Sequence, residues 1–513
     1  MKNFARPSQK CPDLRGYRPS KNLNFLRIFR FWIWPMNCKA LSNMKIFILG
    51  FFVLLSFAFQ PLRAQLSLEA SLDQARRLYQ RISSLPATDA EVNQMAQLIA
   101  EGKADQAAFI AMNSNGFYAL TLKNMFSPLS NTEKLLDLPL TDFTATVAGL
   151  VRDNEAFHQI LHADVIYTAN DEAQTYTQNF TVGNPPVIVT LNSNTPERPL
   201  RRADGNFNNT GNPGLPPPGK VRPIIGSDAR YRDNLHYSDL ENNFSHNWIE
   251  VLQKRTQSET VYSANYINTG AERVPLMDIA GLLTTRQFSS AAYSGGTNRR
   301  PYAMLMENFI CNNLESVHNS NLPDTWVRQD IDRSPAGDDM AFQTQCAGCH
   351  THMDAASGAF VLFDYRDDRT FWNSPNLNAP NNKIFRLAGL YPAGHRPSNN
   401  SWKNLLRFGP NARLGFRQIN GVESLDQGTG LKSFGLLMAS TEAFSECMVE
   451  RTFEQVCFRN FKTEATPNEK EIAKQIARDF ESGVSAYASH EAAGPYNLKA
   501  IFAKVSNLCF GNE

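Results

Sequence analysis

The sequence predicts a mainly α fold, and three observations carry that prediction. Apolar residues recur at three- and four-residue steps through much of the chain from Leu68 onward, capping signals bracket several of those runs, and stretches of strand character are few and short. At 513 residues, with 42% hydrophobic and 19% charged, the chain can bury sizeable cores, which excludes global disorder.

The charge is unevenly spread. The whole chain balances 51 Lys and Arg against 49 Asp and Glu for a net +2, yet residues 1–64 hold eleven basic residues and a single acid, Asp13. The remainder therefore has 40 basic and 48 acidic residues, a formal −8, which argues against a nucleic-acid partner. The N-terminal excess belongs to an export signal. MKIFILGFFVLLSFAFQPLRAQ, from Met44, has a lysine, an apolar run from Ile46 to Phe59, a break at Pro61 and small Ala64 as the expected cleavage site. That run of 14 residues is short of the roughly 20 needed to span a bilayer, so no retained transmembrane helix is expected; a retained anchor is the alternative reading. No Cys follows the cleavage site, which disfavours a lipoprotein, and Met44 is the expected true start. The mature chain is then periplasmic or secreted.

From Leu68 to Ile82, Leu68, Leu72, Ala75, Leu78 and Ile82 form one apolar stripe of an amphipathic helix. A second helix opens with the capping-box pair Thr88 and Glu91 and closes at Gly102, with ADQAAFIAMNS following. The run from Thr141 to Tyr167 is expected to continue this bundle. It carries His158 and His162 one turn apart, a spacing able to chelate a metal but lacking a nearby third ligand. Composition then shifts: 171–224 is rich in Asn, Thr and Pro and reads as an extended connector, with a short strand pair in TYTQNFTVG and PVIVTLN. Helical character returns from about Ser238 to Asn313, most clearly in SDLENNFSHNWIEVLQKR. The expected organisation is a leader and signal peptide at 1–64, a helical N-terminal module at 65–170, an Asn/Pro-rich insertion at 171–237, a central helical region at 238–340, and a last region at 341–513.

The chemistry lies in that last region, at Cys-Ala-Gly-Cys-His, 346–350. Two cysteines separated by two residues can add their thiols to the two vinyl groups of one haem, and the following His350 is placed beneath the iron as proximal ligand. A zinc site wants a second Cys pair at finger or ribbon spacing, and a thioredoxin-like pair wants a βαβ context; both are missing, and export agrees with haem. The expectation is one haem c per chain, held by Cys346 and Cys349.

The runs GLLTTRQFSSAAYSGGTNRRPYAMLMENFICNNL at 281–314 and CAGCHTHMDAASGAFVLFDYRDD at 346–368 resemble secreted bacterial cytochrome-c-like proteins of planctomycete type. So do 428–461 and the terminal YNLKAIFAKVSNLCF, which are similar to the helical domain that ends those proteins. Asp354-Ala355 replaces their usual Asp-Pro, and the insertion at 171–224 is foreign to them. The resemblance implies a cytochrome-c-like haem segment followed by a C-terminal helical domain, with electron transfer as the presumed role. Cys447 lies in the Phe-x-x-Cys segment of that likeness and Cys311 follows an apolar helix end. The favoured pairing of the four remaining cysteines is thus Cys311 with Cys447 and Cys457 with Cys509, with a local Cys447–Cys457 link as its rival.

A single CxxCH excludes a multihaem wire, and the expected role is an electron carrier serving an unidentified redox partner. Two alternatives stay open: a surface or partner-binding helical module with a structural or vestigial haem site, and a haem peroxidase-like enzyme. Met438 is the candidate distal ligand, with Met448 and His395 as rivals, because a thioether raises the potential and closes the iron to small molecules. Met353 is too close to His350 to cross the ring, and His352 and His395 are candidate distal-pocket groups.

Overall fold

A computed structural model of the chain describes residues 68–169, 177–182, 187–192, 237, 240–242, 244–257, 262–263, 278–366, 369–372, 391–422, 424–484 and 491–510. The expected leader, signal peptide and start at Met44, and the Pro-rich part of the insertion, lie outside the described residues. The fold is mainly α.

Three helices come first, α1 (Leu68–Ser83), α2 (Asp89–Ala100) and α3 (Ala104–Met112), packed on one another. The apolar stripe of α1 is buried at Ala75, Leu78 and Ile82. Thr88 caps α2 as its sequence requires, accepting from the Glu91 amide while Glu91 accepts from the Thr88 N–H at 2.8 Å. Helix α4 (Asp142–Arg152) has Thr141 as its N-cap. It does not run on to Tyr167 as its composition suggests. Asn154 takes a φ of 55°, a left-handed value that asparagine tolerates and an α-helix excludes. Phe157–Leu161 is a single 3₁₀ turn, and Ile166–Ala169 is a strand, β1. Tyr167 is drawn back to the end of α4 by a 2.7 Å hydrogen bond from its hydroxyl to Asp153.

The strand pair expected in the insertion is present: β2 (Thr177–Val182) pairs antiparallel with β3 (Val187–Asn192). The helix expected around 238–255 is formed only at its start, where the described residues Leu240, Glu241, Asn242 and Phe244 are helical. Ser245–Val251 forms a 3₁₀ turn that seats Trp248 in the core and feeds β4 (Leu252–Arg255), which pairs antiparallel with β1. Pairing with a partner about 90 residues earlier overrides the local preference.

Two further helices, α5 (Arg286–Ala292) and α6 (Arg300–Phe309), precede the motif helix α7 (Ala347–Ala356). The strands β5 (Tyr262–Ser263), β6 (Phe363–Arg366) and β7 (Arg369–Trp372) form one small sheet in the order β5-β7-β6, and β8 (Ser401–Lys403) pairs with β9 (Gln427–Thr429). The chain closes with α8 (Gly430–Ala439), α9 (Glu442–Cys457), α10 (Pro467–Ser482) and α11 (Leu498–Phe510). Helix α11 packs on α9 and α10 and also on α1 and α3, with Phe502 edge-on to Phe117 at 5.0 Å, so the first and last helices share one core. Gln65–Glu513 forms one unit.

Two helices take their N-terminal caps from far along the chain. Asp142 accepts from the backbone N–H of Arg286 (2.6 Å) and Gln287 (3.1 Å) at the start of α5, and Asp278 accepts from Leu431 and Lys432, both at 2.9 Å, at the start of α8. Each buried carboxylate meets otherwise unpaired amides and the positive end of a helix.

Cys311 and Cys447 are paired at disulfide distance, as are Cys457 and Cys509, with Cα atoms 5.2 Å and 5.6 Å apart. This is the pairing the resemblance favours, and the rival Cys447–Cys457 link is not formed. Among the described residues no helix is long and apolar enough to cross a membrane.

Candidate functional site

Helix α7 is preceded by a π-helical turn, Phe342–Cys346, so Cys346 is its N-cap and Cys349 and His350 lie in its first turn. Within Ala347–Ala356 every residue except Cys349 and His350 is buried, and Cys346 is half-buried beside them. The three residues of the motif that carry its chemistry are thus the ones that reach the surface of an otherwise enclosed helix. Gly348 is small for a reason: a Cβ there would lie 2.4 Å from the His318 ring. Gly358, just beyond α7, lets β8 approach, since its Cβ would lie 1.6 Å from the Ser401 carbonyl oxygen.

Both thiols are free, whereas the other four described cysteines are paired. Burial pushes the Cys349 thiol up, with Glu315 and Cys346 pushing the same way. A nucleophilic redox pair needs the opposite direction. Cys346 packs on a small apolar cluster of Val327, Phe342 and Ala347, separate from the main core, with Ile331 beside it. Free thiols, a following imidazole and an adjacent apolar surface together fit the edge of a porphyrin. Among the described residues no three His, Cys, Asp or Glu side chains converge where a metal ion could sit, whereas haem iron asks the protein for only one or two axial ligands.

His350 is 23% exposed at its side chain, and its Nδ1 lies 3.4 Å from Asp354 Oδ2, one turn along α7, without the alignment of a hydrogen bond. The ring nitrogen left for a ligand is Nε2. Asp354 is fully buried. It accepts from Arg299 Nε (2.6 Å) and Nη2 (3.1 Å) and from the Arg328 backbone N–H (2.9 Å). Asp330 ties the same two arginines together, accepting from Arg299 at 2.8 and 2.9 Å and from Arg328 at 3.2 and 3.3 Å. Burial would raise the Asp354 carboxyl, but contact with His350 and Arg299 and the charge of Arg328 outweigh it and hold the group well below the usual carboxylate range. Asp330 is likewise held down, to about 2, where its two arginines outweigh burial.

His352 points into the core, 1% exposed, with Nδ1 2.9 Å from the Tyr302 hydroxyl; burial pushes it down to about 4, so it is neutral near pH 7. Met353 is buried in the main core, as are Met438 and Met448, whereas Cys346 belongs to the separate cluster. Of the distal candidates, His395 is the one carried to the strap that packs on α7: its N–H donates to the Val327 carbonyl, its own carbonyl accepts from Gln329, and its ring lies 5.0 Å from Trp326. His158 and His162 lie 5.1 Å apart between ring centroids, but on a 3₁₀ turn rather than a long helix, with no third ligand group among the described residues.

The residues that sequence reasoning passed over are Asp354 as a partner of His350, and Arg299, Arg328 and Asp330 behind it. The four-residue step from His350 to Asp354 is readable on a helix. The arginines, 26 and 55 residues away, carry no local signal.

No family model matches this chain, and no curated protein or solved structure matches it.

Proposed function

We propose that this chain is an exported, monohaem c-type cytochrome-like protein of the planctomycete type, acting in electron transfer in the periplasm or outside the cell. The observation that carries the reading is Cys346-Ala-Gly-Cys349-His350 presented at the surface turn of a buried helix, with both thiols free. Cys346 and Cys349 would hold one haem through thioether bonds and His350 would offer Nε2 as the proximal ligand. Haem bound there would supply an iron that takes up and gives back one electron. The apolar cluster of Val327, Phe342 and Ala347 would shield one edge, and the partly exposed Cys349 and His350 would leave the haem within reach of a redox partner.

The test uses full-length protein made in a host with the c-type maturation machinery. Wild type should give the pyridine haemochrome of a thioether-linked haem at one per chain. Cys346→Ala/Cys349→Ala should leave no haem that survives acid-acetone extraction and denaturing electrophoresis. Haem that stays attached in the double variant, or wild type that emerges without haem, overturns the reading. A haem enzyme is the second reading, favoured by the buried carboxylate behind His350, since a stronger proximal donor suits an iron with an open distal position. Rapid carbon monoxide binding by the ferrous protein favours the enzyme, and an unresponsive low-spin spectrum favours the carrier.

A further inference from the structure

We propose that Asp354 is a positioning residue for His350, fixing the ring with Nδ1 toward the carboxylate and Nε2 outward, and thereby holding the reduction potential of the site low. The proposal rests on the reading that haem attaches at Cys346 and Cys349.

The argument is geometric. A carboxylate offers about four acceptor directions. Three of those on Asp354 are taken, by Arg299 Nε, Arg299 Nη2 and the Arg328 N–H, at 2.6, 3.1 and 2.9 Å. The fourth is on Oδ1, which accepts from Arg299 Nε alone, and the carboxylate lies against His350 Nδ1, 3.4 Å from Oδ2, a nitrogen that is buried and has no hydrogen-bond partner. A rotation of the imidazole toward Oδ1 would complete the hydrogen bond. The carboxylate cannot follow the ring, because Asp330 grips the same two arginines from behind. Two arginines and two aspartates sum to zero charge, so the group acts on His350 through this one contact rather than through a net field. An imidazole whose Nδ1–H is held by a carboxylate is a more basic ligand. A more basic axial ligand stabilises the ferric over the ferrous state, which is one of the levers a protein has on haem potential.

The experiment is redox titration of the haem-loaded full chain. Asp354→Asn should shift the one-electron equilibrium toward the ferrous state at least tenfold, a rise of about 59 mV or more in midpoint potential. Asp330→Asn is the control: it loosens the same arginines without touching His350, so it should lower stability and move the potential by less than a third as much. Should Asp354→Asn not fold, Asp354→Asn/Arg299→Met removes the buried charge together with its cation and should give the same rise. Wild type with attached haem and a potential that neither Asp354 variant changes, or that Asp330→Asn changes equally, overturns the proposal alone. Wild type without haem overturns the reading beneath it as well.

Discussion

The shared core of the first and last helices and the neighbourhood of the CxxCH motif are built on different principles. In the first, long amphipathic helices present apolar stripes to one another, α11 against α1, α3, α9 and α10, and cysteine pairs at Cys311–Cys447 and Cys457–Cys509 staple its C-terminal half. In the second, α7 packs on single turns, short strands and α6, the apolar cluster beside Cys346 has three buried members, and four charged side chains lock the helix in place. Apolar surface tolerates approximate geometry and gives stability, whereas an ionic lattice fixes position to a fraction of an ångström and contributes little net stability. The largest expected effect therefore belongs to the core. Phe502→Ala, which empties the position against Phe117, should lose about 3–5 kcal/mol in denaturant titration. If haem is attached as proposed, the helix signal and the folded-state haem spectrum should change together; a native haem spectrum that outlasts the helices would show that the motif region folds apart from this core.

The cysteine pairs sharpen the same contrast. Replacing either pair by serine should cost about 2–4 kcal/mol, most of it through the unfolded chain. Because the Cys311–Cys447 separation is 136 residues and the Cys457–Cys509 separation 52, loop entropy ranks the first as the costlier loss by about 1 kcal/mol. Thermal unfolding of the two double variants checks the order, and equal losses would mean that strain or residual structure outweighs chain entropy.

These differences also explain what could be read in advance. The helices α1 and α2 follow from a 3.6-residue stripe and a capping box, both local, and the structure repeats them. The run from Arg152 to Tyr167 has the composition of a helix and still breaks, because Asn154 turns left-handed and β1 finds its partner in β4. The motif residues were visible because their spacing on one turn is itself the signal. Asp354 was visible only as a departure from Asp-Pro, since what makes it matter is Arg299 and Arg328, brought in by folding. Asp142 and Asp278 are the same case: each caps a helix more than 140 residues away, which no window of sequence contains.

The smallest expected effect concerns pH, and here the two regions behave alike for one reason. His162 beside the core and His352 beneath the motif are both pushed down by burial, to about 3 and about 4. For His162 the neighbouring His158 and Lys432 push the same way, while for His352 Asp354 opposes burial and His318 and His350 reinforce it. An unfolded histidine titrates near 6.5. Both folded values lie below it, so at pH 5 the unfolded chain binds protons at these sites that the folded chain does not. Stability is then full above about pH 6.5 and falls as the pH drops toward the folded values. His162→Gln should flatten this fall by on the order of 2 kcal/mol between pH 7 and 4, since each tenfold loss of proton affinity on folding is worth about 1.4 kcal/mol and part of it is screened at a half-buried site. Urea titrations at pH 7, 5.5 and 4 on wild type and variant measure it. Parallel curves for the two proteins would mean that His162 is charged in the fold, paired by a group that the turn Phe157–Leu161 does not bring to it.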